Sequence, residues 1–192
     1  PGTGKTTVVC GMVNLFRQLY PNHQIACCAP TGRASKRLAE LTKVECQTIH
    51  SLLKWDLESN TFGMNEENPL QLDCLIIDEF SMTDIFLFKR ILDAVDFNRT
   101  KLLMIGDNAQ LPSVSCGNLL HDFMESNIIP TVTLTKVFRY GEGGLMKVAT
   151  DVRFCKEYLT GVNSQFTWFG TNKDYAFVNV GSDIMVKNAV AL

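Results

Sequence analysis

The stretch Leu72-Asp73-Cys74-Leu75-Ile76-Ile77-Asp78-Glu79 decides the fold of this chain. A short apolar run that ends in polar residues is typical of a buried strand, and of a parallel strand in particular. Two carboxylates at the tip of such a strand are costly to bury unless they meet a cation or take part in chemistry. The pair Asp78-Glu79 therefore predicts a partner that carries or recruits positive charge.

A phosphate-binding loop at the start of the chain is this partner. The sequence PGTGKTT at residues 1–7 contains the end of the phosphate-loop pattern GxxxxGK[ST]. A helix is predicted to follow, and the backbone amides at its start suit a bound phosphate. In this pattern Lys5 holds the β- and γ-phosphates and Thr6 ligates Mg²⁺. The residues predicted to bind ATP are Gly2, Thr3, Gly4, Lys5, Thr6 and Thr7. The helix is predicted because Val8, Met12, Leu15, Phe16 and Leu19 repeat at helical spacing.

Composition describes an ordinary globular protein, with 192 residues, 46% hydrophobic residues, 20% charged residues and a net charge of −2. No apolar run approaches the ~20 residues of a membrane span. The seven cysteines include no CxxC pair, which favours buried free thiols in a reducing compartment over zinc or disulfides. We expect a cytoplasmic location.

Strands and helices alternate along the chain, which predicts an α/β fold with a doubly wound, mostly parallel sheet. Further strands are predicted at 24–29, 101–105, 131–135 and 174–180, with an irregular stretch at 161–172 and a helix that begins at Ser182. Another helix is predicted after Asp78-Glu79, with Thr83 as its N-cap and Ile85, Phe88, Leu92 and Val95 as its inward face. Ligands bind at the carboxyl ends of parallel strands, so Thr31, Asp78 and Gln110 are expected to share one site.

The residues at these strand ends suggest a division of chemical roles. Asp78 reaches Mg²⁺, directly or through water, and Glu79 orients and deprotonates the attacking water. Gln110 senses the γ-phosphate. Arg139 either stabilises charge on the leaving phosphate or forms a surface ion pair, and the sequence favours the ion pair. The basic cluster Arg33, Lys36 and Arg37 is either a phosphate contact or a solvated face.

The motifs PGTGKTT, APTGRASKRLAE, TIHSLL, LIIDEFSM, GDNAQLPSV and LTKVFRY follow one another in this order. In this the chain resembles the RecD/TraA-type DNA helicases of superfamily 1. The pattern departs from the family at Tyr140, where glutamine is usual after Phe138-Arg139, and at Phe80, where a small residue is usual.

The resemblance implies a RecA-like P-loop NTPase domain over residues 1–160, without its first strand and first loop glycine. Residues 161–192 would be a linker and the start of a second RecA-like domain. A small hairpin insertion at 54–69 would be a strand-separating pin, although a plain surface loop is the alternative from the residues alone. The resemblance also makes Gln110 the motif III sensor and Arg139 the motif IV arginine.

The same resemblance implies a partner and an activity. The partner is single-stranded DNA and its junctions with duplex DNA, and nuclease or helicase subunits of a larger complex are possible further partners. The activity is ATP- and Mg²⁺-dependent, 5′→3′ unwinding in recombination or repair. The candidate DNA contacts are Pro30, Thr31, Gly32, Arg33, Thr48 and His50.

Two alternatives to a helicase motor stay open from the sequence. One is a P-loop enzyme of another class, such as a small-molecule kinase, and the other is a nucleotide-binding module without motor activity. Stimulation of hydrolysis by single-stranded DNA distinguishes the motor from the first alternative. Any turnover at all distinguishes it from the second.

Overall fold

A computed structural model describes residues 2–136, 144–157, 166–169 and 175–178 of the chain. The helix predicted to begin at Ser182 lies outside these residues. The chain divides into two compact units, Thr3–Thr135 and Lys136–Leu192, with Gly2 assigned to the second. The boundary expected after residue 160 stays a prediction, and the two units are described separately below.

The first unit alternates strands and helices as the sequence predicts. Its helices are α1 (Lys5–Leu19), α2 (Gly32–Thr42), α3 (Ile49–Leu52), α4 (Ile85–Ala94) and α5 (Leu119–Ser126), with one 3₁₀ turn at Phe80–Met82. Its strands are β1 (Ile25–Ala29), β2 (Cys46–Thr48), β3 (Trp55–Asp56), β4 (Thr61–Phe62), β5 (Cys74–Ile77) and β6 (Lys101–Met104).

Four of these strands form one parallel sheet in the order β2-β1-β5-β6. The strand that carries Asp78-Glu79 at its end, β5, is hydrogen-bonded on both sides, by β1 and by β6. All four of its residues are buried, as a strand covered on both faces requires. The RecA-like α/β fold predicted from the sequence is confirmed.

Side chains of alternate strand residues point to opposite faces of the sheet and form two separate cores. On one face, Cys27 and Ile76 pack with Val9 and Val13 of α1 and Leu38 of α2. On the other face, Cys28, Leu75 and Ile77 pack with residues of α3, α4 and α5. Helices therefore cover both faces of the sheet.

The helix predicted after the loop is present as α1, but of the apolar repeat that predicted it only Phe16 packs, partly buried, against the core. The residues that α1 buries are Val9 and Val13, whereas the side chains of Val8, Met12, Leu15 and Leu19 are exposed. The helix carries two apolar stripes at helical spacing, and periodicity alone does not choose between them. The smaller, β-branched stripe packs on the sheet beside Cys27 and Ile76.

The predicted start of α4 is also wrong, by one residue. Asp84 is the N-cap, and its carboxylate accepts a hydrogen bond from the Leu87 amide at 2.8 Å. Thr83 is instead buried. The buried residues of α4 are Phe88, Ile91 and Ala94, and Ile85 and Leu92 are exposed.

The segment Thr131–Thr135 forms no strand, contrary to prediction. Its β-branched residues favour extended structure, but strand propensity depends on a neighbour to pair with. No pairing is found for this segment within the described residues, and Val132 is 88% exposed.

A short hairpin joins α3 to β5 at the position of the predicted insertion. Strands β3 and β4 pair antiparallel, with Trp55 opposite Phe62 and Asp56 opposite Thr61. The second unit contains α6 (Gly144–Arg153) and the antiparallel pair β7 (Phe166–Phe169) and β8 (Tyr175–Val178). Strand β7 falls within residues 161–172, which the sequence predicted to be irregular.

All seven cysteines are free thiols, as expected, and Cys27, Cys28 and Cys74 are buried in the sheet. Burial raises the pKa of Cys28 to about 12. Among the described residues, no helix combines the length and apolar character needed to cross a membrane.

Candidate functional site

The predicted phosphate loop opens directly into α1. Gly4 is the N-cap of this helix, and the amide of Val8 donates to the Gly4 carbonyl at 3.0 Å. Gly2 and Gly4 have φ angles of 79° and 82°, a region that residues with a side chain rarely adopt. Lys5 and Thr6 are the first two helical residues, so both stand at the positive end of the helix dipole.

The ammonium of Lys5 forms an ion pair across the sheet edge. Its Nζ lies 3.2 Å from Oδ2 of Asp107, and the two side chains are only 20% and 5% exposed. Asp107 follows β6 within the GDNAQ stretch and was not among the predicted site residues. The available signal was an acidic residue just after a strand end, the same signal that identified Asp78.

Asp107 also connects Gln110 to the site. Its Oδ2 accepts a hydrogen bond from Gln110 Nε2 at 3.4 Å, and its Oδ1 accepts one from the Ala109 amide at 3.2 Å. Burial disfavours the charged form of Asp107, whereas the Ala109 amide and the Lys5 ammonium favour it. Lys5 and the predicted sensor Gln110 therefore contact the same oxygen atom, Oδ2 of Asp107.

Asp78 and Glu79 lie at the carboxyl end of β5, where the Asp78 amide donates to the Cys28 carbonyl at 2.9 Å. Burial raises the pKa of Asp78, and the charges of Lys5 and Arg37 oppose this rise. Burial also raises the pKa of Glu79, with further contributions from the nearby charges of Asp78 and Asp107. Lys5 is therefore paired with Asp107 and acts electrostatically on Asp78 and Glu79.

The conformation of Glu79 is unusual. Its φ and ψ angles of 51° and 39° place it in the left-handed region, which costs about 1 kcal/mol or more for a residue with a side chain. Its Oε2 is buried and has no hydrogen-bond partner among the described residues. Unpaired buried oxygens and backbone strain tend to occur at functional sites.

The loops after β5 and β6 hold each other in place through the backbone. The Phe80 amide donates to the Ile105 carbonyl, and the Ile105 amide donates to the Ile77 carbonyl, both at 2.8 Å. A Cβ atom added to Gly106 would lie 3.1 Å from the Ser81 amide nitrogen and 2.7 Å from Leu120 Cδ2. Glycine at 106 therefore allows the close approach of the Glu79 and Asp107 loops.

The predicted DNA contacts lie at the carboxyl ends of β1 and β2, which pair with Ala29 opposite Thr48. Thr31 caps α2 by accepting from the Ala34 amide, and Thr48 caps α3 by accepting from the Ser51 amide. The remaining candidates are the half-buried Pro30 and the exposed Gly32, Arg33 and His50. Contact with DNA stays a prediction for all six.

No group of three or more His, Cys, Asp or Glu side chains within the described residues is arranged to hold a metal ion. The assignment of Thr6 and Asp78 as Mg²⁺ ligands therefore stays a prediction. Arg139 lies outside the described residues.

A family of known proteins matches the part of the chain that contains the candidate site. A family model described as an AAA domain matches residues 1–116, which include the phosphate loop, Asp78-Glu79 and Gln110. The chain belongs to this AAA domain family.

Individual relatives of this AAA domain carry RecD names. The RecBCD enzyme subunit RecD of Haemophilus influenzae is 33% identical over 147 residues, covering 65% of this chain and 23% of the relative. The ATP-dependent RecD2 DNA helicase of Deinococcus radiodurans is 37% identical over 139 residues, covering 72% of this chain and 18% of the relative. The predicted resemblance to RecD-type proteins is confirmed, and this chain spans about a fifth of the length of these relatives.

A solved structure of two coordinating Pif1 helicases that unwind forked double-stranded DNA is also similar to this chain. The match has a TM-score of 0.49 and 23% identity, and it covers 79% of this chain and 42% of the Pif1 chain.

Proposed function

We propose that this AAA domain is the ATP-hydrolysing part of a DNA helicase whose turnover is driven by single-stranded DNA. The observation that carries the proposal is the position of Lys5, which opens α1 behind a glycine loop, forms an ion pair with Asp107 and acts electrostatically on Asp78 and Glu79. A lysine at a helix N-terminus is suited to a triphosphate, and adjacent buried carboxylates are suited to a metal and to an attacking water.

In this proposal each group at the site has one role. Lys5 leaves Asp107 and binds the phosphates when ATP enters, because a triphosphate offers it more negative charge. Glu79, with its raised pKa and buried Oε2, holds the attacking water and accepts its proton. Gln110 binds the γ-phosphate from the Asp107 loop, and Arg139 stabilises charge on the leaving phosphate.

The residues at the site fit a magnesium ion. The Thr6 hydroxyl and the Asp78 carboxylate supply the oxygen ligands that Mg²⁺ prefers. The pKa of Asp78 is raised mainly by burial, so a nearby cation would favour the charged form of a carboxylate that the protein leaves partly uncompensated. When bound, Mg²⁺ neutralises charge that develops on the phosphates.

The DNA part of the proposal rests on the relatives and on the strand-end residues. The name of the RecD2 relative describes an ATP-dependent DNA helicase. Thr31, Arg33, Thr48 and His50 provide hydroxyl, guanidinium and ring groups beside the nucleotide site, which suit phosphates and bases of a single strand. Unwinding with 5′→3′ polarity in recombination or repair, and assembly with the other subunits of a RecBCD-type complex, belong to the same proposal.

The test is ATP hydrolysis by the full chain, with and without oligothymidylate, in the presence and absence of Mg²⁺. We expect stimulation by the oligonucleotide and loss of turnover without Mg²⁺. Lys5→Ala should lose nucleotide binding, whereas Glu79→Gln should retain binding of a fluorescent ATP analogue and lose hydrolysis by about a hundredfold or more.

The matched controls are Lys101→Ala and Glu45→Gln, because both side chains are exposed and neither is part of the site. Both controls should hydrolyse ATP at the rate of the unmodified chain. Turnover that is independent of DNA would point to another class of P-loop enzyme. Nucleotide binding without any turnover would point to an inert nucleotide-binding module.

A further inference from the structure

A cavity of about 600 Å³ lies between the β3–β4 hairpin and α4. One wall comes from the hairpin and from His50 of α3. The other wall comes from side chains about one turn apart along α4. Its size falls within the range of small-ligand sites, roughly 300–1,000 Å³. The hairpin side contributes His50, Trp55, Asn60, Thr61, Phe62, Met64 and Asn65, and α4 with its flanking loops contributes Asp84, Phe86, Leu87, Arg90, Asp93 and Ser115.

Aromatic rings dominate the hairpin wall. The ring centroids of Trp55 and Phe62 are 4.6 Å apart, and that of His50 lies 5.9 Å from Phe62. On the opposite wall the ring of Phe86 is 66% exposed. Exposed rings that line a concave surface offer stacking faces to a flat ligand.

The charges around the cavity select against a phosphate. Two carboxylates, Asp84 and Asp93, line it together with a single cation, Arg90. The Arg90 guanidinium lies 3.7 Å from Asp93, which Lys89 also contacts at 2.7 Å. An occupant must therefore present a flat and uncharged surface inside the cavity, with any phosphate left outside.

The cavity also adjoins the carboxyl end of β2, where the proposed function places DNA contacts. His50 is at once a cavity residue and the first exposed side chain after the Thr48 cap, at the carboxyl end of β2. His50 therefore joins the proposed DNA-binding edge to the cavity. The side-chain amide of Asn60, an exposed residue at the cavity, can serve the edge of a base.

We propose that this cavity binds an unstacked base of single-stranded DNA, with stacking on the hairpin rings and on Phe86. This inference rests on the proposed function and adds a second contact surface to it. Base stacking of this kind tolerates any sequence, because every base has a π-face. The hairpin would then bind DNA directly and would hold one nucleotide in a fixed position.

The test uses the fluorescence of Trp55 in the full chain. The chain has two tryptophans, so Trp168→Phe leaves Trp55 as the single reporter. The probes are oligothymidylate and an abasic oligonucleotide of the same length, which has the phosphates without the bases. We expect oligothymidylate to quench Trp55 and the abasic strand to leave it unchanged.

Variants then locate the contact. Phe86→Ala should weaken oligothymidylate binding about fivefold or more, since one stacked base contributes about 1–3 kcal/mol. The matched control is Phe97→Ala, an exposed phenylalanine that does not line the cavity, and it should bind as the unmodified chain does. Circular dichroism of both variants verifies that they are folded.

ATP hydrolysis measured on the same samples separates this inference from the proposed function. Equal quenching by both probes, or unchanged binding by Phe86→Ala, would overturn the base site while DNA-stimulated hydrolysis kept the helicase proposal. Absence of both DNA binding and DNA-stimulated hydrolysis would overturn the two together.

Discussion

Lys5 interacts electrostatically with three carboxylates of the site. Its ammonium is paired with Asp107 at 3.2 Å and lowers the pKa of both Asp78 and Glu79 against the effect of burial. Lys5 thus partly compensates three carboxylates, and Arg37 contributes at Asp78 and Glu79. In the proposed function the same lysine binds the phosphates of ATP, so nucleotide binding and the ion pair with Asp107 would compete for it.

This competition predicts the effect of Asp107→Asn. The neutral amide keeps the size of the side chain but gives up its charge, which frees Lys5 and lowers the repulsion that phosphates meet. We expect nucleotide binding to become about fivefold tighter, equivalent to about 1 kcal/mol. Titration with a fluorescent ATP analogue measures this, with Asp122→Asn on the exposed side of α5 as the control. Weaker binding would show that Asp107 organises its loop and does not compete with the nucleotide.

Glu79 predicts a conflict between stability and activity. A carboxyl whose pKa is raised on folding destabilises the native state when it is ionised, and this cost disappears as the pH falls through the raised native-state pKa. Glu79→Gln should therefore raise Tm by a few degrees at neutral pH, and the difference should shrink in mildly acidic buffer. Thermal unfolding without nucleotide at several pH values checks this, and a difference that grew on acidification would contradict it.

At the scale of elements, the site is set by loops that follow parallel strands and by the first turns of helices. The loop after β5 and the loop after β6 share backbone hydrogen bonds through Phe80 and Ile105. The starts of α2 and α3 are fixed by the hydroxyls of Thr31 and Thr48. These elements determine where the functional side chains can lie.

Gly106→Ala should disturb the contact between the two loops. The new Cβ would press on the Ser81 amide nitrogen, which belongs to the backbone and has little room to move. We expect a loss of about 1–3 kcal/mol in the free energy of unfolding, as for other overpacked sites, together with slower ATP hydrolysis. Urea denaturation measures the first effect. Gly11→Ala is the matched control, because nothing lies within 4 Å of a Cβ on this α1 glycine, and it should stabilise the chain slightly.

Thr31 has a capping role that must be separated from its predicted DNA contact. Thr31→Ala should cost about 1 kcal/mol of stability through the lost cap, whereas Thr31→Asn should retain the cap and most of the stability. Chemical denaturation compares the two variants. If only Thr31→Ala also weakens DNA binding, the threonine acts through the helix start; if both variants weaken it equally, the hydroxyl itself contacts DNA.

The sequence predicted those features that depend on local chemistry. The buried strand at Cys74–Ile77, the glycine loop before Lys5 and the parallel sheet all follow from short patterns. The buried face of α1 could not be predicted from such a pattern. Val9 and Val13 are one of two apolar stripes on the helix, and packing against the sheet determines which stripe is buried. The role of Asp107 was missed for a related reason: its ion pair with Lys5 joins residues 102 positions apart.

At the scale of the whole molecule, the labelling rates of the cysteine thiols measure how often buried parts of the chain become exposed. Cys116 and Cys155 are exposed, whereas Cys27, Cys28 and Cys74 are buried between the layers of the fold. We expect a thiol reagent to label the first two quickly in the native chain and the buried three only after opening or unfolding. Nucleotide should slow labelling of the buried thiols, because it binds the folded state. Mass spectrometry of labelled peptides measures both rates, and unchanged labelling at saturating nucleotide would contradict the second expectation.

The backbone hydrogen bonds around β5 have a consequence for how this sequence can evolve. The Asp78, Phe80 and Ile105 amides reach carbonyls on neighbouring segments, and such bonds do not depend on which side chain a strand residue carries. Strand residues can therefore change among apolar types without displacing the loops that carry Asp78, Glu79 and Asp107. A fold held in this way tolerates wide changes of sequence, in keeping with the 33% identity between this chain and one RecD protein.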